Sequence, residues 1–345
     1  MNVPPLVWID FENAPHVWVL SRMIQRLAQH GYATLLTARD VSYTLALCRH
    51  LGYDVHVVGA AGVPRTNAGK AIRLATRTLQ LVAHVAGSRH RIALALSHGS
   101  RSQILAARLL GLKIISMDDY EHSNQSVVRF VDFLLVPAVI PKDHWGPYAG
   151  KIVHYPGLKE DLYLSHSARK LRCPELETGR VNVLFRPEGP KTHYRAAVSE
   201  VLQSAILDYL GQKENILLVL LPRDAVQAQE LAAHCSSSGL AFWIPESVAS
   251  GPGLVSSMDL VIGGGGTMTR EAAVLGVPAY SFFGGRWGAV DRYLEATGRL
   301  VRIAKPSDVE KIAVEHRKHH DTLDVTDRGL EFVAQFILDA LKEPA

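Results

Sequence analysis

A chain of 345 residues with 48% hydrophobic content is too long for one ordinary core and points to two domains. No apolar run is long enough to span a bilayer, and the start MNVPPLVWIDFENAP lacks the basic segment and cleavage site of a signal peptide, so a cytoplasmic protein is expected. Cys48, Cys173 and Cys235 are odd in number and far apart, which suits free thiols and no metal motif, while a net charge of +4 and a pI near 8.9 argue only weakly for an anionic ligand.

Leu6–Ile9 reads as the first strand. A helix follows from about Val17 to His30, with Val19, Leu20, Met23, Ile24 and Leu27 at helical spacing and Gly31 as its stop. Ala33–Thr37 is the second strand, 42–51 a helix and Val55–Val58 the third strand. Strand–helix–strand repeats predict a parallel sheet with right-handed crossovers, and ligands of such sheets bind beyond the carboxyl ends of the strands. The loop from Asp10 to His16 lies there, so Asp10, Glu12, Asn13 and His16 are candidates for polar contacts or for acid and base work. The plain alternative is that Asn and Asp shape the turn or cap the helix.

No Asp or Glu occurs between Asp54 and Asp118, whereas nine basic residues do: Arg65, Lys70, Arg73, Arg77, Arg89, Arg91, Arg101, Arg108 and Lys113. Lys70, Arg73 and Arg77 share one helix face, which suits an anionic acceptor or a lipid headgroup surface over residues 65–91. A solvated face over a core is the ordinary meaning of the same pattern.

Ile92–Leu96 is the fourth strand, running into Ser97, His98, Gly99, Ser100 and Arg101 and then a helix to about Leu110. Gly99 permits close approach, and the serine hydroxyls and helix N–H groups are donors. No Gly-x-Ser-x-Gly elbow surrounds either serine, which argues against a serine hydrolase. Lys113–Met117 is the fifth strand, followed by Asp118, Asp119, Tyr120, Glu121, His122, Ser123, Asn124 and Gln125. Glu121 and His122 are candidates for general acid or base, or for capping a helix near 126–131. Phe133–Val136 is a sixth strand, and Pro137, Pro141 and Pro147 break the chain.

Tyr155–Tyr163, with its Pro-Gly turn, reads as the crossover between domains. Residues 165–179 are polar, reading as loop or short helix, and Val181–Phe185 opens a second series of strands. Arg186 and His193 follow that strand; guanidinium suits a diphosphate because it makes paired bonds to phosphate oxygens. A helix from about 196 to 210, a strand Ile216–Leu221 and Arg223 come next, then a helix Gln227–Cys235 and a short strand Ala241–Ile244.

Asp259–Tyr280, DLVIGGGGTMTREAAVLGVPAY, then reads as strand, glycine turn, helix, glycine stop and strand. Gly263, Gly264, Gly265 and Gly266 let backbone pass close to a ligand, Thr267 suits an N-cap, and the helix N-terminus favours an anion. The plain alternative is a tight turn with no ligand. Helix 290–297, strand Leu300–Ile303 and helix Phe332–Leu341 complete the chain, and the basic tract 316–320 reads as a solvated helix face.

Two doubly wound units, a Pro-Gly crossover and a late glycine–Thr–Glu helix resemble the GT-B architecture, two Rossmann-like α/β domains facing a cleft. GGGGTMTREAAVLGVP and SHGSRSQILAARLLGLKIISMDDYEHSNQSVVRFVDFLLVP are similar to segments of the N-acetylglucosaminyltransferase that makes the peptidoglycan lipid intermediate. WIDFENAPHV, LLTARD, LSHGSRSQ, DDYE, YPGLKEDLYL, FRPEGPKTHY, LLPRD, IGGGGTMTREAAVLGVPAYSFFGG and GAVDRYL together resemble a prokaryotic family of unknown function (number three-five-four) over nearly the whole chain. The resemblance implies an acceptor domain over 1–156, a nucleotide-sugar domain over 157–325 and a closing helix over 326–345 that packs back.

It further implies that Gly264, Gly265, Gly266, Thr267 and Met268 face a donor diphosphate, that Glu271 takes ribose or sugar hydroxyls, and that Arg186 and Arg223 neutralise phosphate without a metal or cofactor. His16, His98 or Glu121 would take the acceptor's proton, with Asp10, Asn13, Ser97, Gly99, Ser100 and Asp119 around an unidentified sugar or lipid-linked acceptor. Non-hydrolysing UDP-sugar 2-epimerases are built alike, and Asp119, Glu121 and His193 would then serve. A nucleotide-sugar binder without turnover is the third reading. A dinucleotide oxidoreductase is disfavoured because no Gly-x-Gly-x-x-Gly follows the first strand, and no nucleic-acid partner is expected.

Overall fold

In a computed structural model the described residues are 4–41, 43–62, 66–164, 176, 179–189, 193–245, 251–317 and 327–343. The chain divides into two units, Met1–Tyr163 with Asp327–Ala345, and Leu164–Thr326.

The first unit is built on seven parallel strands: β1 (Leu6–Phe11), β2 (Ala33–Ala38), β3 (His56–Val57), β4 (Ile92–His98), β5 (Ile114–Met117), β6 (Phe133–Pro137) and β7 (Ile152–Tyr155), in the order β3-β2-β1-β4-β5-β6-β7. All six residues of β1 are buried, as a central strand covered on both faces requires. The helices α1 (Ala14–Gln29), α2 (Thr44–His50), α3 (Asn67–Val85) and α4 (Arg101–Leu109) link strands β1 to β5, and α10 (Arg328–Lys342) joins the same unit. Proline in its first turn starts α1, where the missing N–H costs nothing, and Gly31 at φ 80° ends it.

Strand β7 was not foreseen, because the three prolines before it signal a break and the alternation of Ile152, Val153, His154 and Tyr155 is too short to stand out. The helix expected near 126–131 is a single 3-10 turn, Val128–Phe130.

The second unit carries six parallel strands: β8 (Val181–Arg186), β9 (Ile216–Leu220), β10 (Phe242–Trp243), β11 (Leu260–Gly263), β12 (Ala279–Ser281) and β13 (Val301–Arg302), in the order β10-β9-β8-β11-β12-β13. Its helices are α5 (His193–Gly211), α6 (Ala225–Ser237), α7 (Gly251–Ser256), α8 (Thr267–Val274) and α9 (Ala289–Ala296). Helix α7, with two glycines and a proline in six residues, carries no helical signal in sequence, yet all its residues are buried. Val183, Phe185, Leu218, Leu220, Ile262 and Phe282 form the centre of this unit's core. In both units the strand order reverses beside the first strand of the unit, so a switch point lies between β1 and β4 and another between β8 and β11.

Candidate active site

At the switch point of the first unit the chain leaves β1 and β4 toward opposite sides, and their following loops part. A cavity of about 360 Å³ opens there. His16, His98, Arg101, Asp118, Asp119 and Ser123 line its polar side, and Ile104, Val128, Val131 and Leu134 its apolar side. His16 comes from the first turn of α1, His98 from the last residue of β4, and the two aspartates from the loop after β5.

The polar side is a connected set. The His16 and His98 rings lie 4.6 Å apart between centroids, tilted by 41°. His98 Nε2 stands 3.4 Å from Asp119 Oδ1, and the other Asp119 oxygen lies 2.7 Å from Lys159 Nζ. Lys159 Nζ is also 3.3 Å from Glu160 Oε1, and both of these charged residues are buried. Burial first, and then the neighbouring His98 ring and Lys159 ammonium, hold His16 well below the ordinary imidazole range, so it is neutral at pH 7. His16 Nδ1 is buried with no hydrogen-bond partner among the described residues. Burial, reinforced by Asp119, pushes the Asp118 carboxyl up to about 6, although it accepts bonds from the Tyr120 N–H and the Ser123 hydroxyl. Tyr155 is pushed well above the usual phenol range by burial and by Asp119, Glu160 and the neighbouring acids.

Of the expected residues, the cavity gathers His16, His98, Gly99 and Asp119. Ser97 is fully buried, and its hydroxyl has no partner among the described residues. Asn13 is exposed at the N-cap of α1 and makes no side-chain cap bond. Glu121 is buried and does not line the cavity; its Oε1 is 3.7 Å from His122 Nε2. Lys159 was missed. It sits in a stretch that reads as a linker, and the available signal was its apolar frame of Leu158, Leu162 and Tyr163, all buried.

Asp10 and Ser100 turn inward, a correction to the expectation that they bind an acceptor. Asp10 is fully buried, with Oδ1 accepting from Arg77 Nη2 at 2.8 Å and from the Thr37 hydroxyl at 2.6 Å. Its Oδ2 accepts from Arg77 Nη1 at 3.0 Å and from the Ser100 hydroxyl at 2.5 Å. Arg77 Nη1 also reaches Glu12 at 3.3 Å, and its Nε donates to the Val58 carbonyl at 3.0 Å. Thr37 in turn accepts from the Trp8 indole. Ser100 caps α4, accepting from the Gln103 N–H. This network ties the ends of β1 and β4, the strands that lead into His16 and His98.

The basic helix face is corrected with it. Arg77 is 2% exposed, and Arg73 donates to the carbonyls of Ala60, Ala61 and Gly62. Neither guanidinium belongs to an outward basic face of α3. Arg65 lies outside the described residues.

In the second unit the loops after β8 and β11 flank the switch point. Three of the four glycines there are demanded by close packing. A Cβ on Gly263 would meet Thr269 at 2.8 Å, one on Gly264 would meet the Glu188 backbone at 2.6 Å, and one on Gly265 the Phe283 ring at 2.6 Å. Gly266 faces open space and has φ 99°. Gly266, not Thr267, is the N-cap of α8, because its left-handed backbone turns the chain into the helix, and Thr267 becomes the first helical residue. Met268 is half-buried, and Glu271 is buried on the same helix.

Both expected arginines also brace loops: Arg186 Nη1 donates to the Leu221 carbonyl at 3.0 Å, and Arg223 Nε to the Pro187 carbonyl at 3.2 Å. Glu188 Oε1 accepts from the Gly284 N–H at 3.3 Å. Arg270 makes a two-point pair with Asp291 at 2.8 and 2.9 Å. The His193 side chain, Cys173 and residues 318–320 of the basic tract lie outside the described set. Among the described residues no group of three or more His, Cys, Asp or Glu is placed to hold a metal ion. No described helix is long and apolar enough to cross a membrane.

Among solved structures, a Staphylococcus aureus MnaA–UDP co-structure aligns with a TM-score of 0.72 at 12% identity, covering 99% of each chain. The UDP-GlcNAc 2-epimerase of Methanocaldococcus jannaschii aligns at 0.67 and 12% identity, covering 97% of this chain and 99% of that one. MurG of Acinetobacter baumannii aligns at 0.54 and 15%, covering 97% and 100%. These likenesses establish the fold as α/β of the GT-B kind. An uncharacterised protein of Methanocaldococcus jannaschii is 24% identical over 318 residues, covering 89% of each chain. The profile of the family described as protein of unknown function (DUF354) matches residues 6–343, and the chain belongs to that family.

Proposed function

We propose that this protein is a glycosyltransferase-type enzyme that uses a nucleotide-diphosphate sugar without a metal, UDP-GlcNAc being the first donor to test. The observation that carries the reading is the buried His16–His98–Asp119–Lys159 set on one wall of a cavity at strand carboxyl ends. A transferase needs a base for one acceptor hydroxyl. His98 is that base: the nearby Asp119 carboxylate stabilises the imidazolium that forms, and Lys159 fixes the other Asp119 oxygen. His16, held neutral, orients the hydroxyl without adding a competing charge. As the proton passes to His98, the acceptor oxygen bonds to the anomeric carbon and the bond from that carbon to the diphosphate breaks. Taken by itself, the second unit offers the turn Gly264–Gly266, the start of α8 and Arg186 as groups suited to the charge of a donor diphosphate.

One observation favours a second reading. Asp118, with its carboxyl raised to about 6, lines the same cavity as the two histidines. Acid and base groups side by side suit removal and return of a proton at sugar C2, as in a 2-epimerase.

Calorimetry with UDP, GDP, dTDP and CMP sugars tests the shared premise, and failure of all of them to bind would overturn both readings. With a bound donor, solvent deuterium entering C2 without an acceptor selects the epimerase. Donor consumption only on addition of an acceptor selects the transferase. His98→Asn should leave donor affinity within about twofold and lower turnover by about 100-fold or more, the usual worth of a general base.

A further inference from the structure

Helix α3 is apolar on two sides. Its inward side buries Thr78, Leu81 and Val85 with the neutralised Arg77. Its outward side carries Ala68, Ile72, Ala75, Leu79 and Ala83, all exposed and spaced by three or four residues. Ile72 is 67% and Leu79 62% exposed. A surface helix ordinarily turns charge outward, so this second stripe is unexplained by the unit's own core.

The neighbouring surface extends it. Helix α4 packs against α3, and Arg89 Nε donates to the Leu110 carbonyl, which binds the end of α4 to the segment that follows α3. Leu109 there is 67% exposed. At the Leu109 end of these aliphatic groups stand the exposed cations Arg89, Arg91 and Arg108, and the chain has no acid from 55 to 117.

We infer that this face of α3 and α4 rests on an anionic lipid bilayer surface, with Ile72, Leu79 and Leu109 entering the interface and the cations meeting lipid phosphates. Charge decides the occupant. A symmetric contact between two copies would set this patch against itself and bring like charges together. A nucleic acid would match the cations, but a row of aliphatic groups without aromatic rings gives it nothing to stack on. Anionic lipid matches both features, since aliphatic side chains enter the acyl boundary while Lys and Arg stay at the headgroups. The inference is independent of the reaction assigned to the protein.

The test is co-sedimentation of the full chain with vesicles of phosphatidylcholine alone and of phosphatidylcholine mixed with phosphatidylglycerol. Binding to the mixed vesicles alone, weakened by salt, is expected. Each cation removed, as in Arg108→Gln or Arg91→Gln, should weaken it by about fivefold. The double change Ile72→Asp and Leu79→Asp, at exposed positions and with unchanged melting temperature, should abolish it. Equal sedimentation with both vesicle types, or undiminished binding by the aspartate variant, overturns the inference. A concentration-dependent dimer lost in that variant, or tight salt-sensitive binding of duplex DNA without vesicle binding, overturns it equally and gives the face to another occupant.

Discussion

Arg77→Leu is the sharpest probe of how the first unit is held. The substitution removes both bonds to Asp10, at 2.8 and 3.0 Å, the contact with Glu12 at 3.3 Å and the bond to the Val58 carbonyl at 3.0 Å. Asp10, with no exposed surface, keeps only the Thr37 and Ser100 hydroxyls. Breaking a buried pair from one side costs about 3–5 kcal/mol, chiefly because the remaining charge stays buried. For a unit of this size that corresponds to a fall of at least about 6 °C in melting temperature. Urea unfolding followed by tryptophan fluorescence measures it, since Trp8 donates to Thr37 within the same network. Adding Asp10→Asn to Arg77→Leu should recover part of the loss, because it removes the stranded charge. A loss below about 1 kcal/mol, the range of exposed pairs, would refute the reasoning and return Arg77 to a solvated helix face.

Gly265→Ala should destabilise the second unit by more than about 2 kcal/mol in urea unfolding, since a Cβ would meet the Phe283 ring at 2.6 Å and the backbone is left-handed. Gly266→Ala meets no neighbour and should cost only the backbone term, about 1–3 kcal/mol. Asp118→Asn tests the raised carboxyl. A folded pKa of about 6 above the ordinary value means that the native state holds a proton the unfolded state has lost, so Asp118 lowers stability as pH rises from about 4 through 6. Asparagine should flatten that segment of the stability–pH curve and raise stability at pH 7 by up to about 3 kcal/mol, measured by urea titration across pH. Glu271→Ala should weaken donor binding in calorimetry by about tenfold if this carboxylate takes donor hydroxyls, and unchanged affinity would remove it from the site.

Most of the fold was legible because a parallel sheet writes itself as short apolar runs closed by glycine and polar loops. β1, β4, β8 and β11 all announce themselves in this way. The elements that were missed, β7 and α7, lack those marks: one follows a proline-broken stretch, and the other is glycine and proline held helical by burial. In the candidate site, His16, His98 and Asp119 were legible from their position after strands. Asp10 carried the same positional signal and has a different use, because its partner Arg77 lies 67 residues away and only the tertiary fold brings them together. Lys159 was illegible for the same reason: its carboxylate partner, Asp119, is 40 residues earlier. Position relative to a strand end is a local property, whereas pairing is not.

Helix α10 belongs to the first unit, although the whole second unit lies between it and the rest of that unit in sequence. It packs on α1 and β7, Phe336 meets Phe133 edge to face, and Gly329 sits where a Cβ would strike the Pro156 carbonyl at 2.5 Å. The order of synthesis follows from this. A ribosome delivers all the strands of both sheets before it delivers the segment that covers Phe133, so the first unit waits with an open apolar seam while the second can close. No single cut in the chain releases the first unit whole, and an insertion anywhere in the second lengthens that wait.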